Sequence, residues 1–127
     1  MEDVFVARLM STDLVTVDDD ATVATAAQRM LEEGVSSILV VDEDRRLAGL
    51  LTATDFVRLV RENDPEDETP VAACMTVDVV TADPQDTLDD LAELTEHGYT
   101  HLPVTTDDNE VVGMVSTTDV TAYLVDR

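Results

Sequence analysis

The chain has 127 residues, enough for one compact domain or two closely packed halves, and its lone cysteine, Cys74, rules out an internal disulfide framework. Twenty-nine acids against seven bases give a net charge of −22, and every base is an arginine (8, 29, 45, 46, 58, 61 and 127). That balance excludes nucleic-acid binding through a phosphate-neutralising basic patch. With 44% of residues apolar and periodically placed, it indicates a folded, salt-loving (halophilic) protein rather than a disordered one.

Residues 1–20 carry Glu2, Asp3, Arg8 and Asp13 and no long apolar run, so neither a signal peptide nor a membrane span is expected. Together with a single unpaired cysteine this points to the cytoplasm. Leu14–Val17 reads as a short strand. Thr22 then caps a helix whose apolar positions Val23, Ala26, Ala27, Met30 and Leu31 share one face, and Gly34 stops it. Ser37–Asp42 and Leu47–Thr52 read as strands joined by the turn Glu43-Asp44-Arg45, hence a hairpin. A helix follows from Thr54 or Asp55 through Phe56, Leu59 and Val60. Asn63–Thr69 is a polar, proline-containing linker. Beyond it the order repeats: a strand at Val79–Ala82, a helix near 87–97, strands near 101–105 and 110–116, and a helix near 118–125.

The repetition extends to residue types. Met10-Ser11-Thr12-Asp13-Leu14-Val15-Thr16 recurs as Met75-Thr76-Val77-Asp78-Val79-Val80-Thr81, and Gly49-Leu50-Leu51-Thr52-Ala53-Thr54-Asp55 as Gly113-Met114-Val115-Ser116-Thr117-Thr118-Asp119. The offset is 65 residues for the first block and 64 for the last, so the second copy lacks one residue in or beside its first helix. The expected fold is therefore α/β (α+β): two β-α-β-β-α repeats, at 1–62 and 70–127 with a linker at 63–69, packed by their sheets about a pseudo-twofold axis. Such a pair creates two equivalent clefts between the repeats, which suits ligand binding better than catalysis.

The block Gly-φ-φ-[Thr/Ser]-x-Thr-Asp, with φ apolar, lies at a strand-to-helix junction in both copies. Its glycine admits a close backbone approach or an unusual dihedral. Its hydroxyls lie beside the free amides that open a helix, a natural seat for an anion. Its aspartate can accept hydrogen bonds from a ribose diol. A plainer reading has these residues simply capping the helix; their presence at matching places in both copies favours the ligand.

These blocks, with the glycine-ended helix and Leu102-Pro103-Val104, resemble the CBS domain, here as a tandem pair (a Bateman module) covering nearly the whole chain. The resemblance implies a regulatory module for AMP, ADP, ATP, NAD-type ligands or S-adenosylmethionine, without an obligatory cofactor, and modules that pair into disc-like homodimers. It implies one site from Thr52, Thr54 and Asp55 with Thr76, Val80, Thr81, Tyr99 and Thr100. The second joins Ser116, Thr118 and Asp119 with Ser11, Val15, Thr16, Val35 and Ser36. The first repeat departs from the pattern in having Ile38-Leu39-Val40, without the proline. The sites are thus expected to be unequal.

Other residues have plainer readings. His97 suits a helix C-terminus, and His101 is equally a surface residue or a phosphate contact. Asp18-Asp19-Asp20 and Asp107-Asp108 lack the alternating ligand spacing of a calcium loop, and Cys74 reads as an inert thiol. Catalysis has no nucleophile–base pair, metal set or P-loop to rest on. A hydrolase using Asp55 and Asp119, or a ligand-free dimerisation adaptor, are the rivals. With so few cations, AMP or S-adenosylmethionine meets less repulsion than ATP, and Arg8 and Arg58 are the nearest candidates to help a phosphate. A regulated protein would be a separate chain.

Overall fold

The computed structural model describes residues 4–61, 68–96, 98 and 101–126. They form a mixed α+β chain with two small sheets, divided between two compact units. Val15–Val79 make a continuous unit; residues 1–14 and 80–127 together make a split unit.

In the continuous unit the strands β1 (Thr16–Asp18), β2 (Ser37–Val41) and β3 (Leu47–Thr52) form one sheet in that order, β1 parallel and β3 antiparallel to β2. Helix α2 (Val23–Glu33) connects β1 to β2. The short helix α1 (Val6–Leu9) precedes it in sequence and belongs to the split unit. The Thr22 hydroxyl accepts the Thr25 amide at 3.2 Å, and Gly34 ends the helix in the left-handed region at φ 67°. Asp42 Oδ1 accepts the amides of Asp44 and Arg46, both at 2.9 Å, which closes the predicted turn. Helix α3 (Ala53–Arg61) follows β3 directly.

Val17, Val23, Ala26, Met30, Ile38, Val40, Leu51 and Val71 form the core of this unit, with Phe56 and Leu59 packed against it. Two expected core positions are on the outside: Leu31 is 84% and Val60 67% exposed. The buried stripe of α2 runs through Val23, Ala26 and Met30, and Leu31 falls beside it.

The split unit holds α1, α4 (Leu88–Glu96), the antiparallel pair β4 (His101–Thr105) and β5 (Val111–Ser116), and α5 (Thr117–Asp126). Val6, Ala82, Leu91, Leu102, Val104 and Val115 form its core. The expected strand at Val79–Ala82 is reduced to one parallel bridge, Ala82 to Val104. The cause is the proline. In the continuous unit the Leu39 amide donates to Val15 at 3.2 Å. Pro103 stands where Leu39 does and has no N–H to give Val80.

The opening segments are exchanged. Met10-Ser11, from the start of the first repeat, lies on the last hairpin of the second: Ser11 and Met114 exchange both backbone bonds, at 2.8 and 2.9 Å. Reciprocally, Met75-Thr76 lies on the hairpin of the first repeat, where Thr76 and Leu50 exchange bonds of 2.9 and 3.0 Å. A 3-10 turn at Val71–Ala73 delivers this segment, with Val71 fully buried. Of the expected linker, Glu68 and Thr69 are described, and the Thr69 carbonyl accepts the Val23 amide. The rest lies outside the described residues.

Candidate functional site

Each hairpin runs without a loop into a helix, so the last strand residue becomes the helix cap. In the continuous unit Thr52 takes this place and Asp55 is the third helical residue. The Thr52 amide donates to Asp55 Oδ2 at 2.8 Å, its hydroxyl donates to the same oxygen at 3.3 Å, and Asp55 is buried. In the split unit Ser116 and Asp119 repeat this at 2.8 and 3.1 Å, and the Asp119 amide donates back to the Ser116 hydroxyl at 3.2 Å. In the split unit this is a full capping box with aspartate as its acid, and in the continuous unit the aspartate's half of it. The capping reading therefore holds in both copies. It takes one carboxylate oxygen, Oδ2, and leaves Oδ1 as the acceptor that faces other groups.

The two Oδ1 atoms differ. Arg58 Nη1 donates to Asp55 Oδ1 at 3.2 Å, an ion pair in which the arginine is 53% and the aspartate 6% exposed. The residue corresponding to Arg58 is Ala122, and Asp119 Oδ1 has no bonded partner among the described residues. Arg8, the other cation considered for a phosphate, stands over the Tyr123 ring, 5.7 Å from its centroid.

The signature glycines serve close approach. A Cβ on Gly49 would meet Met75 Cγ at 2.7 Å and the Thr76 carbonyl oxygen at 2.9 Å; one on Gly113 would meet Met10 Cγ at 2.8 Å. Missing side chains thus let each methionine settle on the facing hairpin. The neighbouring hydroxyl residue, Thr76 or Ser11, is thereby held beside the strand that ends in Thr52 or Ser116.

The continuous unit so brings together Thr52, Thr54, Asp55 and Thr76, and also Ser36, whose carbonyl accepts the Ala53 amide at 3.0 Å. Thr54 and Thr76 are exposed. Val15, Thr16 and Val35 belong to the same unit, at β1 and just before β2. The split unit brings together Ser11, Ser116, Thr118 and Asp119, with Ser11 and Thr118 exposed and with half-buried Val80 and Thr81 preceding the bridge at Ala82. Tyr99, Thr100 and His97 lie outside the described residues. His101 pairs with Ser116 across the hairpin. Cys74 is half-buried against the core of the continuous unit.

The acidic turns gather. Asp18, Asp19, Asp20, Asp42, Glu43 and Asp44 line one depression at an end of the three-stranded sheet. Among the described residues no group of three or more His, Cys, Asp or Glu is disposed to hold a metal ion. Nor is any described helix long and apolar enough to cross a membrane.

The family model described as CBS domain matches the chain twice, over residues 6–62 and 71–126. An uncharacterized 17.7 kDa protein of Acidianus ambivalens is 32% identical over 95% of this chain and 73% of its own length. Homoserine O-acetyltransferases also match, that of Methanococcus vannielii at 27% identity, with the chain spanning only 24% of the enzyme. Among solved structures, a putative signal-transduction protein with CBS domains from Burkholderia ambifaria is 31% identical, with a TM-score of 0.81 over 98% of this chain and 96% of that one. The CBS domain pair of protein MJ0100, in complex with 5′-methylthioadenosine and S-adenosyl-L-methionine, shares the fold at 22% identity and a TM-score of 0.84, over 98% of both chains.

Proposed function

Because the chain belongs to the CBS domain family as a tandem pair of repeats, we propose that it is a regulatory module that binds an adenosine-containing ligand and has no catalysis of its own. The observation that carries this is the doubled junction. Each copy presents an aspartate fixed by its capping bonds, an exposed threonine at the opening of a helix, and a second hydroxyl residue held alongside by the exchanged segment. A preset carboxylate next to hydroxyls and helix amides suits a ribose and whatever its 5′ carbon carries. The adenosyl ligands of the MJ0100 pair support the ligand class.

The proposed contacts of described geometry are Thr52, Thr54, Asp55 and Thr76 in one unit and Ser11, Ser116, Thr118 and Asp119 in the other. Val15, Thr16, Val35, Ser36, Val80, Thr81, Tyr99 and Thr100 enter through the resemblance. The reading extends to a cytoplasmic homodimer in a salt-rich cell that passes the ligand signal to a separate regulated chain. Exposed Leu31, Val57 and Val60 supply apolar surface for such pairing.

Titration calorimetry in molar KCl with AMP, ATP, NAD and S-adenosylmethionine tests the reading. Substitution by asparagine is the informative change, because its amide oxygen still accepts the capping amide while its nitrogen meets the ribose hydroxyls as a donor. Asp55→Asn and Asp119→Asn are each expected to remove one class of site and leave the fold intact by circular dichroism. Absence of binding by every ligand leaves the adaptor reading instead, for which the capping bonds are sufficient reason for the aspartates. Turnover of ATP would make the chain an enzyme.

A further inference from the structure

The two junctions share a helix N-terminus, a cap hydroxyl, an exposed threonine and an aspartate. They part at one position three residues past the aspartate, which is Arg58 in α3 and Ala122 in α5. We infer that Arg58 sorts the ligands by charge: the Asp55 junction takes an adenosyl ligand bearing a 5′-phosphate, and the Asp119 junction takes one without a phosphate. This rests on the adenosyl reading above and assigns a ligand class to each of its sites.

The argument starts from Asp55 Oδ1. Oδ2 already accepts two bonds from Thr52, so a ribose diol must use Oδ1, where Arg58 sits at 3.2 Å. A diol that donates both hydroxyls to Oδ1 needs the place Arg58 holds, and a ligand without a negative charge then offers the displaced guanidinium nothing. A phosphate close to the same helix opening gives Arg58 a new partner, and a guanidinium meets phosphate with two parallel N–H groups. Arg58 is 53% exposed and, among the described residues, its head is tied by this one pair, so it can swing without disturbing the core.

At the other junction the balance is opposite. Among the described residues Asp119 Oδ1 has no bonded partner, which leaves it to a diol, and Ala122 brings no cation. Arg8, in the same unit, has its guanidinium over Tyr123, one helical turn past Asp119, and makes no bond to that carboxylate. Among the described residues no arginine is bonded to this carboxylate, so a phosphate placed here would lack the counter-charge that Arg58 gives at Asp55, in a chain of net charge −22. A neutral or cationic 5′ substituent carries no such penalty.

The test uses the full chain, calorimetry in constant KCl, and two probes that differ at the 5′ carbon, AMP and 5′-methylthioadenosine. In the Asp119→Asn variant the remaining site is expected to prefer AMP by about tenfold or more, the scale of one charge-assisted bond. In Asp55→Asn the preference reverses. Adding Arg58→Gln to Asp119→Asn abolishes the AMP preference and turns it toward 5′-methylthioadenosine, chiefly by weakening AMP. Adding Ala122→Arg to Asp55→Asn creates an AMP preference. Arg8→Gln leaves both ratios as they were. Positions 58 and 122 are exposed, so the same pair of changes in the otherwise unaltered chain gives the readout even where an asparagine variant fails to fold. An AMP to 5′-methylthioadenosine ratio unmoved by Arg58→Gln, or moved by Arg8→Gln instead, overturns the inference while leaving adenosyl binding standing. If neither probe binds the unaltered chain, the adenosyl reading fails and this one with it.

Discussion

An aspartate three residues after a serine or threonine has local work to do before any ligand arrives. Asp119 gives the Ser116 amide its acceptor, and in the capping box that amide has no helical partner. Asp119→Ala is therefore expected to lower stability by about 1–2 kcal/mol without ligand, and Asp119→Asn by distinctly less. Urea denaturation at fixed KCl checks this; equal losses for the two variants would mean that the side-chain oxygen is not what matters. The aspartates were legible as functional candidates because they recur. Their internal partners were legible too, since a hydroxyl residue three positions before an acid at a helix start is a local pattern. What the chain order could not say is which oxygen stays open. That depends on the rotamer of Arg58, one of two arginines suggested by proximity in sequence. The other, Arg8, turned out to meet an aromatic ring on α5.

Among elements, those with their own punctuation were readable. Thr22 and Gly34 bracket α2, and Asp42 closes the β2–β3 turn, because caps and turns are short-range chemistry. The short helix α1 and the 3-10 turn at Val71–Ala73 carry no periodic signal and were missed. The exchange of opening segments was missed for another reason: pairing Ser11 with Met114 spans most of the chain, and no local pattern encodes it. The Met and Gly that recur in both copies are its trace. They can be tested as a pair. Gly49→Ala and Gly113→Ala should each cost about 1–3 kcal/mol by overpacking. Gly49→Ala should cost the more, because its new methyl meets the Thr76 backbone as well as a thioether that can bend away. Shortening the methionine, as in Met10→Ala with Gly113→Ala, should recover part of the loss in a double-mutant cycle of urea midpoints.

For the whole molecule the dominant quantity is charge. Six of the acids crowd one depression, and among the described residues Arg58–Asp55 is the one ion pair. Little pairing is available to offset their mutual repulsion, so screening must do it. At about 0.1 M salt the Debye length is about 10 Å, comparable with the spacing of such groups, and at about 1 M it is about 3 Å. The midpoint of thermal unfolding is expected to rise by about 5 °C or more between those conditions in KCl. Scanning calorimetry checks it, and a midpoint indifferent to KCl would show that the acids are neutral to stability. Choline chloride should act much as KCl does, and sucrose should not reproduce the ionic part.

The split unit also imposes an order of assembly. Translation runs from the first residue to the last, and Val15–Val79 lie together in the middle of the chain. Everything their unit needs, including the Thr76 segment, is synthesised before any of β4 or β5. Residues 4–14 emerge earlier still, yet Ser11 finds its partner in Met114, about a hundred residues further along. This earlier-made segment must therefore wait, with Val6 and Met10 deprived of their hairpin until β5 has been made. An opening segment that must stay soluble while it waits has good use for the polar run Ser11-Thr12-Asp13 beside those apolar anchors.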